Sequence, residues 1–325
     1  MTRPPIPKAV LDAAHARRAA RLAGNWAEAD RLRAEIETAG WRVTDRGVDF
    51  GLVPAHPPDV VADGRVRYGS SGSAPSRLHD PDSVLATVIV RGADTAIGRT
   101  LASIRTALPA EAQVVVVADD PGPGVAEELE AEGLGAAGDP EEHDGRWEVA
   151  WTSARLGPGA ALNIGLRLAR GSCLICVDPG IALGGEGLAE LVAAAALPDV
   201  AAAGVVGLAG PNVRGLEPTG SGDVAALDGR CMAVPRSLAA ARGPVDERFA
   251  TWRALAVWWT LLLRDEGEGR PPKRAVALTG LPLLGADEAT TGPAADPDRL
   301  VRRDRYRLLE RFGDRPDLFV AGRPG

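Results

Sequence analysis

Three carboxylates that each follow a run of apolar residues are the positions best suited to chemistry. Asp94 follows the run at 84–90, Asp119, with Asp120 beside it, follows 114–118, and Asp178 directly follows 173–177. If these runs are strands of an open α/β sheet, the acids stand at its carboxyl edge, where ligands collect. A carboxylate there can accept hydrogen bonds from a base or ribose, or hold a hard cation. Asp also serves turns simply by satisfying loop backbone, and the residues alone leave both readings open. The block Trp151-Thr-Ser-Ala-Arg155-Leu-Gly-Pro-Gly-Ala-Ala-Leu-Asn163-Ile-Gly165 puts small residues ahead of an amphipathic helix, so a ligand can approach its backbone. Asp246 and Glu247, in Gly243-Pro-Val-Asp246-Glu247-Arg-Phe249, are candidates for a general base, which must lie within hydrogen-bond reach of the proton it takes. The same pair also reads as a turn and helix-start signal.

The elements that would position these groups alternate: a strand at 84–90, a helix at 97–107, a strand at 114–118, a helix through Asn163 and a strand at 173–177. That order predicts an α/β fold, a mostly parallel sheet covered by helices. Further helices are expected before Ala196, over 252–264 and near 306–312. Gly184-Gly-Glu-Gly187 lacks the strand-and-helix context of a dinucleotide fingerprint, and the chain has no P-loop. Residues 8–40 carry helical spacing broken at Gly24-Asn25, and 41–53 alternate like a short β-ribbon. Arg17, Arg18, Arg21, Arg31 and Arg33 of this hairpin would face solvent or an anionic partner. Residues 55–82, rich in Pro, Gly, Ser and Asp, read as a linker. The expected organisation is therefore 1–54 helical hairpin with ribbon, 55–82 linker, and 83–325 α/β domain.

Composition narrows the classes. The 325 residues are 45% hydrophobic with 4% aromatic, enough apolar material for a sizeable core. No apolar run approaches the roughly 20 residues that span a bilayer, and the N-terminus lacks a signal-peptide core, so a cytoplasmic location is expected. The net charge of −7 argues against wide nucleic-acid binding. Cys173 and Cys176, three apart on a strand, point to opposite faces and are expected to be buried rather than metal-binding. His15, His56, His79 and His143 fall outside the expected centre and read as surface or loop residues. Trp252, Trp258 and Trp259 read either as core or as an aromatic platform: Trp258 and Trp259 cannot face one way on a helix, so one packs in the core and the other is free to edge a cleft, where a ring face suits a sugar.

From Val84 to Asp178 the chain resembles family 2 glycosyltransferases of the GT-A fold: a first strand and loop, a second strand ending in acid, an Asn163-Ile-Gly165 helix, and a strand ending in Asp178-Pro-Gly180 where the family has an Asp-x-Asp type motif. A second match, Gly229-Arg-Cys-Met-Ala-Val-Pro-Arg236 followed by Gly243-Pro-Val-Asp-Glu-Arg-Phe249, is similar to the family's acceptor-side segment, and the likeness extends to about residue 284. It implies a nucleotide-activated sugar as donor, held by Asp94, Asp119 and Asp178, with Arg155 and Asn163 beside it. It also implies Mg²⁺ or Mn²⁺ on Asp178 and transfer to an unknown acceptor by in-line displacement. Two departures stand out: Gly180 replaces the second carboxylate, and Ala256 falls where the family commonly has its base, leaving Asp246 and Glu247 as substitutes. The alternative implied is a catalytically inactive GT-A scaffold used for binding or assembly. The hairpin and the start of the ribbon, with Ala16-Arg-Arg-Ala-Ala-Arg21, Asn25-Trp26-Ala-Glu-Ala-Asp30-Arg-Leu-Arg33, Gly40-Trp41 and Val43-Thr-Asp45, resemble the C-terminal helical region of cysteinyl-tRNA synthetases. That likeness implies a small recognition or packing module able to dock a partner and no aminoacylation site.

Overall fold

The computed structural model describes residues 5–319 apart from 48, 63, 93–95, 108–110, 132–133, 135–145, 185–186, 282 and 285–296. Asp94 and His143 lie outside the described residues. The chain divides into two compact units, Met1–Asp59 and Val60–Gly325.

In the first unit α1 (Lys8–Leu22) and α2 (Trp26–Thr38) form the expected hairpin, followed by β1 (Trp41–Arg46) and β2 (Asp49–Pro54) in an antiparallel ribbon. Val10, Ala13, Ala14, Leu32, Ile36, Trp41, Val43 and Leu52 make its core. The Asn25 side chain caps α2 by accepting from the Glu28 amide at 3.2 Å. The arginines divide: Arg17 is buried and grips Asp45 in a fork, at 2.7 and 3.1 Å. Arg31 pairs with Glu28 and Glu35, and Arg33 with Glu37.

The second unit is built on a ten-stranded sheet. Its elements run β3 (Val60–Ala62), β4 (Arg65–Tyr68), β5 (Val84–Gly92), α3 (Ala96–Ala107), β6 (Ala112–Ala118), α4 (Pro123–Ala131), β7 (Trp147–Thr152), α5 (Pro158–Leu168), β8 (Gly171–Val177), β9 (Ala182–Leu183) and α6 (Gly187–Ala195). They continue β10 (Val200–Gly204), β11 (Gly207–Ala209), β12 (Glu217–Thr219), β13 (Gly222–Val224), β14 (Ala226–Leu227), β15 (Cys231–Pro235), α7 (Arg236–Arg242), α8 (Trp252–Arg264), β16 (Arg274–Ala277), β17 (Leu283–Leu284) and α9 (Pro297–Phe312). The strand order is β13-β16-β10-β15-β8-β5-β6-β7-β4-β3, with β8, β5, β6, β7 and β4 mutually parallel. β15 lies antiparallel to β8. The central strands are buried on both faces, which is why they read as continuous apolar runs in the sequence.

Side-chain alternation sorts the core into two layers. Val88 and Val90 of β5 face Ile97, Leu101 and Ile104 of α3, whereas Ile89 faces Leu162 and Leu166 of α5. Cys173 and Cys176 fall on opposite faces as expected, both buried, and burial pushes each thiol up to about 12. Trp259 is buried, while half-buried Trp258 tilts against Phe249 at 5.7 Å. α9 packs Leu308 and Phe312 into the same layer as α8.

The segment expected to be a linker differs from that reading over residues 60–77. β3 and β4 extend the sheet, β4 pairing in parallel with β7 through Arg67↔Trp151 and Tyr68↔Thr152. The Arg65 and Arg67 guanidiniums lie over the Trp151 ring at 5.2 and 5.5 Å. Ala74 is buried, and the Arg77 amide donates to the Arg167 carbonyl. The short alternation Arg65-Val-Arg-Tyr68 makes a strand that the surrounding Pro and Gly outweighed in composition. Both margins of the sheet are strands of three residues: β3, whose Val61 is exposed, and β13, whose Asp223 pairs with Arg274 of β16. Among the described residues, no helix is long and apolar enough to cross a membrane.

Candidate functional site at the carboxyl edge

β8 delivers Asp178 to the edge of the sheet, and its amide donates to the Arg230 carbonyl at 2.8 Å. Its carboxylate meets Arg91, from the end of β5, at 3.0 Å. Arg91 is buried, so desolvation pulls its pKa down while the Asp178 charge opposes that shift. The Trp252 ring at the start of α8 lies over the guanidinium, 3.2 Å from its carbon to the ring centroid. The Trp252 indole N–H donates to the Gly229 carbonyl at 2.8 Å. Gly229, at φ 89°, is required here: a Cβ at this position would stand 2.5 Å from the Ala256 Cβ and 2.6 Å from the Trp252 Nε1. Ala256 is therefore buried against backbone, with no open space in front of it. Gly180 also has positive φ, 89°, and its amide donates to Thr100 Oγ1 of α3 at 2.9 Å.

Next to this pair, the turn between β14 and β15 carries Asp228, buried, accepting from the Arg230 amide at 3.0 Å and pairing with the Arg230 Nε at 3.1 Å. Burial pushes the Asp228 carboxyl up, against the pull of these contacts and of Arg253.

Asp119 points inward. It accepts from the Leu156 amide at 2.7 Å, the Gly157 amide at 2.9 Å and the Thr152 hydroxyl at 3.2 Å, and so ties β6 to the loop that starts α5. Its carboxyl is pushed up by burial, against those donors. The neighbour Asp120 does the opposite: it is exposed, and its amide donates to Thr152 Oγ1 at 2.8 Å. With φ 53° it is the non-glycine residue of left-handed backbone among those described, a conformation concentrated at functional sites. Arg155, on the tied loop, is exposed.

Asn163, Asp246 and Glu247 form a clamp rather than an open group. The Asn163 amide donates to the Val245 carbonyl at 3.0 Å and to Glu247 Oε1 at 2.9 Å, and its oxygen accepts from the Val245 amide at 2.9 Å. Glu247 also accepts from the Ser71 hydroxyl. Asp246 pairs with Arg248 at 2.7 Å; although burial pushes the other way, hydrogen bonds from Arg248 leave its carboxyl below the ordinary range. Asp304 of α9, fully buried, accepts from the Ala250 and Thr251 amides and the Thr251 hydroxyl and so fixes the entry to α8.

These contacts decide the fit of a divalent cation. Such an ion wants several hard oxygen ligands, but Asp178 is neutralised by Arg91, position 180 has no side chain, and no cluster of three or more potential ligands occurs among the described residues. The described residues at this edge do not fit a metal. The edge thus brings together Asp178, Asp119, Asp120 and Arg155, whereas Asn163 and Glu247 are hydrogen-bonded to each other and Asp246 pairs with Arg248. Arg91, Asp228 and Arg230 were missed by sequence reasoning; the one signal for Arg91 was a charge closing the apolar run Val88-Ile-Val90. His15, His56 and His79 are exposed and take no part. An apolar cavity of about 160 Å³, lined by residues including Leu85, Ala86, Ala112 and Val192, opens at the other end of β5 and β6.

Residues 86–219 match the family model described as glycosyl transferase family 2. Comparison with curated protein sequences gives no match. Among solved structures, the chain is similar to GalNAc-T7, solved with UDP, GalNAc and Mn²⁺, at a TM-score of 0.53 and 14% identity, covering 70% of this chain and 48% of that one. It also matches the mannosyltransferase PcManGT from Pyrobaculum calidifontis in complex with GDP-Man and Mn²⁺ (TM-score 0.45, 20% identity, 65% and 59% covered) and S. aureus TarS 1-349 in complex with UDP (TM-score 0.45, 16% identity, 69% and 63% covered). The chain thus spans about half to three fifths of the first two of these structures. The sheet and its covering helices are similar to those of GT-A glycosyltransferases.

Proposed function

We propose that this chain is a glycosyltransferase-like protein that binds a nucleotide-activated sugar at the carboxyl edge of its sheet, and that its role is recognition rather than metal-assisted transfer. The premise is the family 2 match over residues 86–219 together with the GT-A type of fold. The observation that carries the binding reading is Asp120: an exposed carboxylate in left-handed backbone at the end of β6, set beside a loop that Asp119 holds in place. Such a carboxylate accepts hydrogen bonds from a base or ribose, and Arg155 on that loop supplies a cation for phosphate. Recognition is favoured over transfer because, among the described residues, the positions expected to supply the base do not offer one: Ala256 is buried, and Asp246 and Glu247 are hydrogen-bonded within the protein. Fold and chemistry are separable, so a family scaffold without its chemistry is a coherent outcome.

Calorimetric titration with UDP, GDP and their sugar conjugates tests the reading. Binding is expected, weakened about tenfold in Asp120→Asn, which keeps the backbone conformation but loses the charge. Release of nucleotide from the donor is expected to stay at the buffer rate. Absence of binding to every nucleotide overturns the proposal, and sugar transfer at enzymatic rates overturns the second half of it.

An assembly role for the first unit is favoured by one observation: the tip of its hairpin exposes Leu22 and Trp26 at 68% and 62%. This reading takes the protein to be cytoplasmic, with the tip docking a protein partner; Trp26→Ser should abolish binding of that partner without lowering stability.

A further inference from the structure

We infer that Arg91 is the resident cation of this site: its guanidinium takes the place of a divalent metal on Asp178 and faces the diphosphate of the ligand, so that nucleotide binding is metal-independent. The inference rests on the nucleotide reading above and extends it to how the phosphate charge is met.

A diphosphate needs positive charge beside it, and a metal-dependent site supplies this with an ion held on carboxylates. Here the carboxylate at the end of β8 already has its counter-charge, covalently attached to the chain, at 3.0 Å. Adding a divalent ion to Asp178 would place it against a guanidinium, like charge on like, in a poorly solvated corner.

Arg91 also has capacity left over. Its Nη2 is committed to Asp178, but its Nη1 is buried and has no hydrogen-bond partner among the described residues. Buried donors of this kind are normally satisfied, and one left open at a ligand-binding edge marks the place of an acceptor. The Trp252 ring covers the guanidinium face, fixing its plane, and the Trp252 indole is itself anchored on Gly229. A planar guanidinium held by a carboxylate on one side and by a ring across its face leaves its remaining N–H groups to one direction, which suits the geometry of phosphate oxygens.

The test combines two titrations of the full chain. In the first, free Mn²⁺ is followed by electron paramagnetic resonance with protein alone; no binding tighter than millimolar is expected, and stoichiometric binding overturns the inference. In the second, UDP and GDP are titrated calorimetrically in EDTA and in Mn²⁺. Affinities within about threefold of each other are expected, with a loss of about tenfold or more in Arg91→Met. Because Arg91→Met leaves Asp178 without its partner and can unfold the site, Arg91→Met with Asp178→Asn is measured beside it. That pair stays neutral and should fold yet bind as weakly. Binding that requires Mn²⁺, or that survives in the double variant, overturns the inference while the nucleotide reading stands. No nucleotide binding in any condition sinks the nucleotide reading and the diphosphate role of Arg91 together, and the Mn²⁺ titration then still decides whether Asp178 is closed to metal.

Discussion

Asp119→Asn separates a carboxylate that holds the protein together from one that holds a ligand. In the wild type the two carboxylate oxygens take three donors, the Leu156 and Gly157 amides and the Thr152 hydroxyl, at 2.7, 2.9 and 3.2 Å. A hydrogen bond to a charged group contributes about 1.5–3 kcal/mol. The asparagine keeps one acceptor oxygen but turns an NH₂ toward a backbone N–H, so it loses one amide partner and leaves a buried donor unmatched. Burial already raises the Asp119 carboxyl, which means that part of the charge's benefit is offset by its desolvation. The net expectation is a loss of about 2–3 kcal/mol in denaturant unfolding, within the 5–15 kcal/mol that a domain of this kind has. Hydrogen exchange supplies the local readout: the Leu156 and Gly157 amides should lose protection while the amides of β5 and β8 keep theirs. Stability unchanged to within about 0.5 kcal/mol, together with abolished nucleotide binding, would refute the reasoning and return Asp119 to the ligand.

Three further outcomes follow from the same contacts. Asp304→Ala removes the buried acceptor of the Ala250 and Thr251 amides and the Thr251 hydroxyl, and should cost about 2–4 kcal/mol in denaturant unfolding, with Asp304→Asn recovering part of it. Ala256→Asp, which would restore an acid at the expected base position, puts a carboxylate against Gly229 in a buried site; a loss of at least about 3 kcal/mol and no gained transfer are expected by thermal melting and a donor-turnover assay. Acid should act in opposite senses on two carboxyls: Asp45 is lowered chiefly by its hydrogen bond from Arg17, so its contribution is full above the ordinary value of 3.8 and fades as pH falls through the lowered one. Asp119, raised by burial, takes up its proton in the folded state first, so it favours folding as pH drops; exchange-detected acid titration should therefore show the Arg17–Asp45 region of the first unit opening before the Asp119 loop.

The parts of the fold that were legible in the sequence are those with a long physical period or run. β5, β6 and β8 are apolar throughout because both faces are covered, and α3 and α8 repeat at helical spacing. The two- and three-residue strands β9, β11, β12, β13 and β14 carry no period long enough to read, and β4 was hidden by its Pro- and Gly-rich surroundings. At the site, the positions of Asp119 and Asp178 at strand ends were legible, but their duties were not. Asp119 answers backbone amides, which every sequence has, and Asp178 answers Arg91, 87 residues earlier. Asn163 looked like a ligand group because its type suits one; only the folded chain shows Val245 and Glu247 using its amide.

The three-residue margins of the large sheet bear on the behaviour of the protein in concentrated solution. A ten-stranded sheet ending in long apolar edges would offer each neighbouring molecule a template for further strands, and fibrils grow from such templates. Here the β3 edge, despite Val61, is too short to align more than a few hydrogen bonds, and the β13 edge carries the Asp223–Arg274 pair. The sheet's width is thus ended by its own outermost strands, which restrains edge-to-edge stacking in a chain with a mean hydropathy of −0.04.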